Sequence, residues 1–168
     1  MLTLANMKLH KNIVDAILHS LHEIFEESKY ADKVIERVLK SNPKWGGRDR
    51  RFIAETTYDI VRWYRLLCEG TETEKNNYQK IVEVYFTMKG ISSDDAIKEK
   101  LESAQSIRKI RESIPDWMDE LGVKELGEEK WEKEIHALNE EAKVILRANS
   151  LKVAKEKLKD VLDRKSVV

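Results

Sequence analysis

The chain is 168 residues long with 31 Lys and Arg against 31 Asp and Glu, a formal net charge of zero, so no whole-molecule field marks it for a nucleic acid or a membrane. Hydrophobic residues make up 41%, and a chain of this length buries roughly two-thirds of its unfolded surface without help from metals or disulfides. Six Gly, two Pro and 37% charged residues argue against a β-sandwich and predict an all-α fold of charge-laced helices.

From residue 7 to residue 28, Leu9, Ile13, Ile17, Leu21 and Phe25 recur every fourth position, which places them on one face of a first helix. A second helix spans Tyr30–Ser41, with Val34, Ile35, Val38 and Leu39 as its apolar stripe and a basic flank at Lys33, Arg37 and Lys40. Asn42, Pro43, Gly46 and Gly47 break the pattern into a loop. A long third helix from about Arg48 to Cys68 carries Phe52, Ile53, Thr56, Ile60, Trp63, Tyr64 and Leu67 on one side. The fourth, Glu74–Met88, is buried through Tyr78, Ile81, Val82, Tyr85 and Phe86 and ends at Gly90. A fifth begins at Ser92, whose spacing to Asp95 resembles a capping box, and continues through Ile97, Leu101 and Ala104.

Pro115 opens a short helix to Leu121 that Gly122 is expected to stop. Next comes an acidic helix over 127–142, buried through Trp131, Ile135 and Leu138. Val144, Leu146 and Ala148 alternate with Ile145, Arg147 and Asn149, the signal of a short strand. Ala154, Leu158, Val161 and Leu162 suggest a last helix. A lone strand and helix cannot form a sheet, so the pattern predicts a helical domain over residues 1–142 and the truncated start of a second, small α+β domain over 143–168.

Charge is unevenly placed. Between Lys33 and Arg65, nine basic residues (Lys33, Arg37, Lys40, Lys44, Arg48, Arg50, Arg51, Arg62, Arg65) face four acidic ones (Glu36, Asp49, Glu55, Asp59), a net of +5. From Asp116 to Glu141 ten acids face Lys124, Lys130 and Lys133, a net of −7. Arg48, Arg50 and Arg51 stand at the start of the third helix, where the dipole disfavours cations by some tenths of a kcal/mol each. An anion bound there would reverse that penalty, because free backbone N–H groups and guanidinium forks would both address a phosphate. Arg51 and Arg62 lie eleven residues apart, nearly on one face and about 16 Å apart by helical rise, a spacing that suits a row of phosphates. The alternative is a solvated face stitched by Arg51 with Glu55 and Asp59 with Arg62, worth a few tenths of a kcal/mol per pair. Trp45 either stacks on an unpaired base or anchors its loop to the core. Trp63, Trp117 and Trp131 lie on apolar stripes and are expected in the core.

Cys68 is the only cysteine, which excludes an intramolecular disulfide or cysteine-rich metal site and points to a reducing, cytoplasmic setting; an inert thiol is expected. No apolar stretch approaches the roughly 18 residues of a membrane span. His19 and His22 share a face, but His10 and His136 supply no further ligand, so no metal site is expected. Neither a Gly-rich phosphate loop nor a nucleophile elbow nor a His-Glu-x-x-His motif occurs, and no catalytic constellation emerges.

The run Arg48-Asp49-Arg50-Arg51-Phe52-Ile53 through Tyr58-Asp59-Ile60-Val61-Arg62 resembles the Arg-Asp-Arg…Tyr-Gly-x-x-Arg helix in the NusB-like N-terminal region of Sun/Fmu-type RNA cytosine-C5 methyltransferases. Ser113-Ile114-Pro115-Asp116-Trp117-Met118 resembles that family's Pro-x-Trp turn, and Leu146-Arg147-Ala148-Asn149-Ser150-Leu151-Lys152 its Leu-Arg-Val-Asn-Thr-Leu-Lys strand. Asp59 departs from the pattern, standing where the family has glycine. The resemblance implies a NusB-like bundle that recognises ribosomal RNA through Lys44, Trp45, Arg48, Arg50, Arg51, Arg62 and Arg65, with Arg147, Asn149 and Lys152 on the second domain. It implies further that S-adenosylmethionine and the two motif cysteines belong to a catalytic domain outside this chain, since Cys68 matches neither motif. The chain alone would not methylate. A protein-docking or self-associating bundle is the other reading.

Overall fold

A computed structural model describes residues 11–142 and 145–165, the side chains of residues 164 and 165 excepted. The described residues form helices and connecting segments only, with no strand among them. They divide into two units, one ending at Leu138 and one beginning at Asn139.

The first unit is built on the stripe of α1 (Lys11–Phe25), where Ile13, Ile17 and Leu21 are buried together with Ala16. Against it lie α2 (Ala31–Ser41), α3 (Gly47–Arg62) and α5 (Tyr78–Met88). Their contributions are Val34 and Val38, Ile53 and Ile60, and Ile81, Val82, Val84 and Phe86. At 25 cal/mol per Å², each such side chain contributes on the order of 1.5–3 kcal/mol. Phe25 stacks on Tyr64 at 3.9 Å and on Tyr78 at 6.1 Å, closing one end of the seam. The α1–α2 turn is fixed by a carboxylate that the sequence pattern did not single out. Buried Glu23 accepts from Lys29 at 3.0 Å and from Arg37, and meets His19 Nε2 at 2.8 Å.

The long third helix predicted from sequence is two helices. Trp63 takes φ −97° and ψ 17°, and α4 (Tyr64–Glu69) starts beyond it. The cause is a side chain entering the hydrogen-bond ladder: the Arg65 amide donates to Ser113 Oγ at 3.1 Å. Cys68 is fully buried in α4, and burial pushes its thiol up to about 11.

α5 ends as its glycine predicts. Gly90 has φ +69°, the Ile91 amide reaches Phe86 O at 2.8 Å and the Gly90 amide reaches Thr87 O at 3.0 Å, a Schellman closure. α6 (Asp95–Gln105) is capped by Asp94, whose Oδ1 accepts from the Ile97 amide at 3.2 Å. The expected Ser92 cap is thus displaced by two residues, and Ser92 pairs with Thr87 at 3.0 Å instead.

A four-residue helix that periodicity did not reveal, α7 (Arg108–Arg111), leads to α8 (Asp116–Leu126) and α9 (Glu128–Asn139). Gly122 does not stop α8, which runs through it to Gly127. Its role is contact: a Cβ at Gly122 would enter the Trp131 ring. Trp131 and Ile135 form a small second core with Ile114, Met118 and Val123. Two expected core residues are not in it, for Trp117 is 61% exposed and Leu138 69% exposed.

In the second unit, residues 145–149 are irregular, and Val144, the first residue of the expected strand, lies outside the described residues. A local turn follows residues 145–149. Asn149 Oδ1 accepts from the Leu151 amide at 3.1 Å and Asn149 O from the Lys152 amide at 2.9 Å. Helix α10 (Lys155–Lys165) follows. No helix among the described residues is long and apolar enough to cross a membrane.

Two measurements follow from this packing. Gly122→Ala, which on a helix surface would gain up to about 1 kcal/mol, is expected here to cost roughly 1–3 kcal/mol by overpacking; a thermal melt that rises would contradict the Trp131 contact. Cys68 is expected to react with a thiol reagent at pH 8 only as fast as the protein unfolds, so labelling that matches an exposed thiol would contradict its burial.

Candidate nucleic-acid interface

Helix α3 begins without a side-chain cap. Gly46 occupies the N-cap position in an extended conformation, and the first backbone bond runs from the Arg50 amide to Gly46 O at 3.0 Å. The amides ahead of it face outward with the positive end of the helix dipole. Lys44 is exposed in the preceding loop, where its own amide donates to Asn42 Oδ1 at 3.1 Å.

The arginines of the first unit then separate into two sets. Arg37 holds Glu23. Arg50 Nη1 donates to Leu39 O at 2.7 Å, so it closes the carbonyl end of α2 and does not address solvent. Arg62 Nη2 reaches Leu138 O at 3.2 Å, and its guanidinium lies 5.7 Å from the Trp63 ring centroid. Arg65, only 18% exposed, pairs with Glu69 at 2.9 Å and Asp116 at 2.7 Å and also donates to Ile114 O. Arg108 grips Asp119 with two bonds at 2.7 and 3.0 Å and reaches Glu128, while Arg111 meets Glu112 at 3.0 Å and Glu132. Arg48 and Arg51 differ: both are exposed, and neither has a carboxylate or carbonyl partner among the described residues.

The two pairs that would have made α3 an ordinary solvated face do not form. Arg51 and Glu55 stay apart, and Asp59 turns to α5, where it accepts from Tyr85 Oη at 2.8 Å and meets Lys89 Nζ at 2.8 Å. Burial and that carboxylate together raise the Tyr85 hydroxyl well above its ordinary range. Gly47, Arg48, Arg51, Phe52 and Glu55 line an open depression of about 400 Å³ along α3.

Of the residues that sequence placed at an RNA interface, Lys44, Arg48 and Arg51 are exposed around the start of α3. Trp45 is 9% exposed and packed in the main core, which fits the loop-anchoring alternative. Its Nε1 is buried with no hydrogen-bond partner. Arg50 and Arg65 are likewise spent on internal partners. Arg147, Asn149 and Lys152 are exposed in the second unit, with Asn149 engaged in its own turn.

The acidic stretch has an internal use that the sequence reading missed. Its carboxylates embrace α7, and Trp131 Nε1 adds a bond to Asp119 at 2.9 Å. Arg108 holds the Asp119 carboxyl below its usual range, and Arg65 with Lys109 does the same for Asp116. No group of three or more His, Cys, Asp or Glu placed to hold a metal ion occurs among the described residues.

No family model, no curated protein and no solved structure matches this chain.

The Asp119 carboxyl is held below its unfolded value of 3.8, so its contribution is complete above that pH and lost as pH falls through the lower folded value. Asp119→Asn is therefore expected to cost about 2 kcal/mol at pH 7 by leaving Arg108 partly unpaired, and to flatten the fall of the melting temperature below about pH 4. An unchanged acid limb would contradict the assignment. Arg50→Ala is expected to lower the melting temperature and Arg51→Ala to leave it unmoved; equal effects would sink the division into two sets.

Proposed function

We propose that this chain binds RNA through the start of α3, as the recognition region of an S-adenosylmethionine-dependent rRNA cytosine-C5 methyltransferase. The observation that carries the binding reading is the pair Arg48 and Arg51, without partners at an uncapped helix N-terminus in a bundle whose other arginines are all engaged. Outward amides, two guanidinium forks and the nearby Lys44 address an oxyanion in the way a phosphate requires. The enzyme-family part rests on the three sequence motifs alone, and the fold expected from them is the NusB-like bundle. Chemistry on cytosine belongs to a catalytic domain, which would hold the cofactor, so this chain is expected to bind and not to methylate.

On this reading the binding residues are those left exposed and unpaired around the start of α3. Lys44, Arg48 and Arg51 form the interface, while Arg50 and Arg65 position the helices that present them. Structured rRNA fragments are expected to bind with an affinity that falls steeply with salt, by about 0.9 log unit per phosphate contact on duplex and somewhat less on single strands. The double substitution Arg48→Ala with Arg51→Ala is expected to reduce that slope by one to two contacts without moving the melting temperature. An unchanged slope would refute the site.

A protein-docking reading has one observation in its favour. Trp117 and Leu121, four residues apart on α8, are 61% and 45% exposed, and Trp is among the commonest anchors of protein interfaces. Light scattering with and without RNA separates the two: a stable dimer indifferent to RNA favours docking.

A further inference from the structure

We infer that the depression along α3 receives a single unpaired guanine, whose Watson–Crick edge is read by Glu55; this rests on the phosphate reading above. The starting point is a carboxylate in the wrong place for a surface that only neutralises phosphate. Glu55 is exposed, lines the same depression as Arg48 and Arg51, and stands four residues after Arg51. That spacing favours a pair of opposite charges, yet no such pair forms, and the one interaction of Glu55 among the described residues is a coulombic one with the Tyr85 hydroxyl, which offers no cation.

A carboxylate only accepts hydrogen bonds, so beside a bound nucleic acid it repels phosphates and must face donors. Among the four bases, guanine alone sets two donors side by side, N1–H and the N2 amino group, to match two carboxylate oxygens. Adenine and cytosine each offer one amino group next to a ring nitrogen that accepts, and uracil offers one N–H between two carbonyls. All would set a lone pair against Glu55. Unpaired bases in RNA are read on this edge.

The remaining walls suit a flat ring. Phe52 is partly buried, its ring stacked on Phe86 at 6.1 Å, and Gly47 adds no side chain. From Gly47 to Glu55 the helix rises about 12 Å, with Arg48 at one end and Arg51 midway to meet the backbone, and Glu55 at the other end to meet the base.

The test is fluorescence anisotropy on the full chain with labelled RNA decamers of uridine carrying one central guanosine, inosine, adenosine or cytidine, beside the all-uridine strand. Guanosine is expected to bind roughly tenfold more tightly than adenosine or cytidine, with inosine, which lacks the N2 amino group, in between. Glu55→Gln is expected to bring the guanosine-to-adenosine ratio near one while tightening the all-uridine strand, since a negative charge is removed from beside the phosphates. Equal binding of all decamers, with the all-uridine strand still dependent on Arg48 and Arg51, would overturn the base reading and leave the phosphate reading standing. A guanosine preference that survives Glu55→Gln would also overturn it, and absence of binding to any strand would overturn both.

Discussion

The apolar seam between α1, α3 and α5 decides which side of α3 meets solvent. Ile53, Thr56, Thr57 and Ile60 are drawn into that seam, and a helix has no freedom to rotate once one stripe is buried. Arg48, Arg51 and Glu55 are outward because these four are inward. The arrangement of the candidate site is thus a by-product of hydrophobic packing on the far side of the same helix, and the uncapped turn at Gly46 and Gly47 adds the amides.

Pairing divides the remaining charges. A buried or half-buried guanidinium costs free energy unless its donors are met, and this bundle meets them with distant groups: Leu39 O for Arg50, Asp116 and Ile114 O for Arg65, Asp119 for Arg108. The acidic stretch from Asp116 onward is therefore in good part a counter-charge to α7 and α4. The neutral total of the chain conceals an internal exchange of charge, with the start of α3 left out of it.

This division explains what the sequence could and could not convey. The stripes of α1, α2, α5 and α6 are local, repeating every three or four residues, and their helices were legible from spacing alone. So was the closing glycine of α5. The fate of each arginine was not legible, because the partners of Arg50, Arg62 and Arg65 lie eleven, seventy-six and fifty-one residues away. Three clustered arginines look alike in sequence, yet only two of them face outward. Gly122 misled for a related reason: a breaker and a contact surface are the same residue until Trp131 is in place. The kink at Trp63 depends on Ser113, forty-eight residues beyond the Arg65 amide it meets and outside the pattern that suggested one continuous rod.

Trp45 has a consequence of its own. Its indole sits in an apolar core with an unmatched N–H, three residues ahead of Arg48. An indole that touches neither water nor a polar acceptor emits at short wavelength, and any loosening of the loop that admits water shifts that emission to the red. With Trp63, Trp117 and Trp131 replaced by Phe, the emission of Trp45 would be an intrinsic optical gauge of how tightly the amino end of α3 is held.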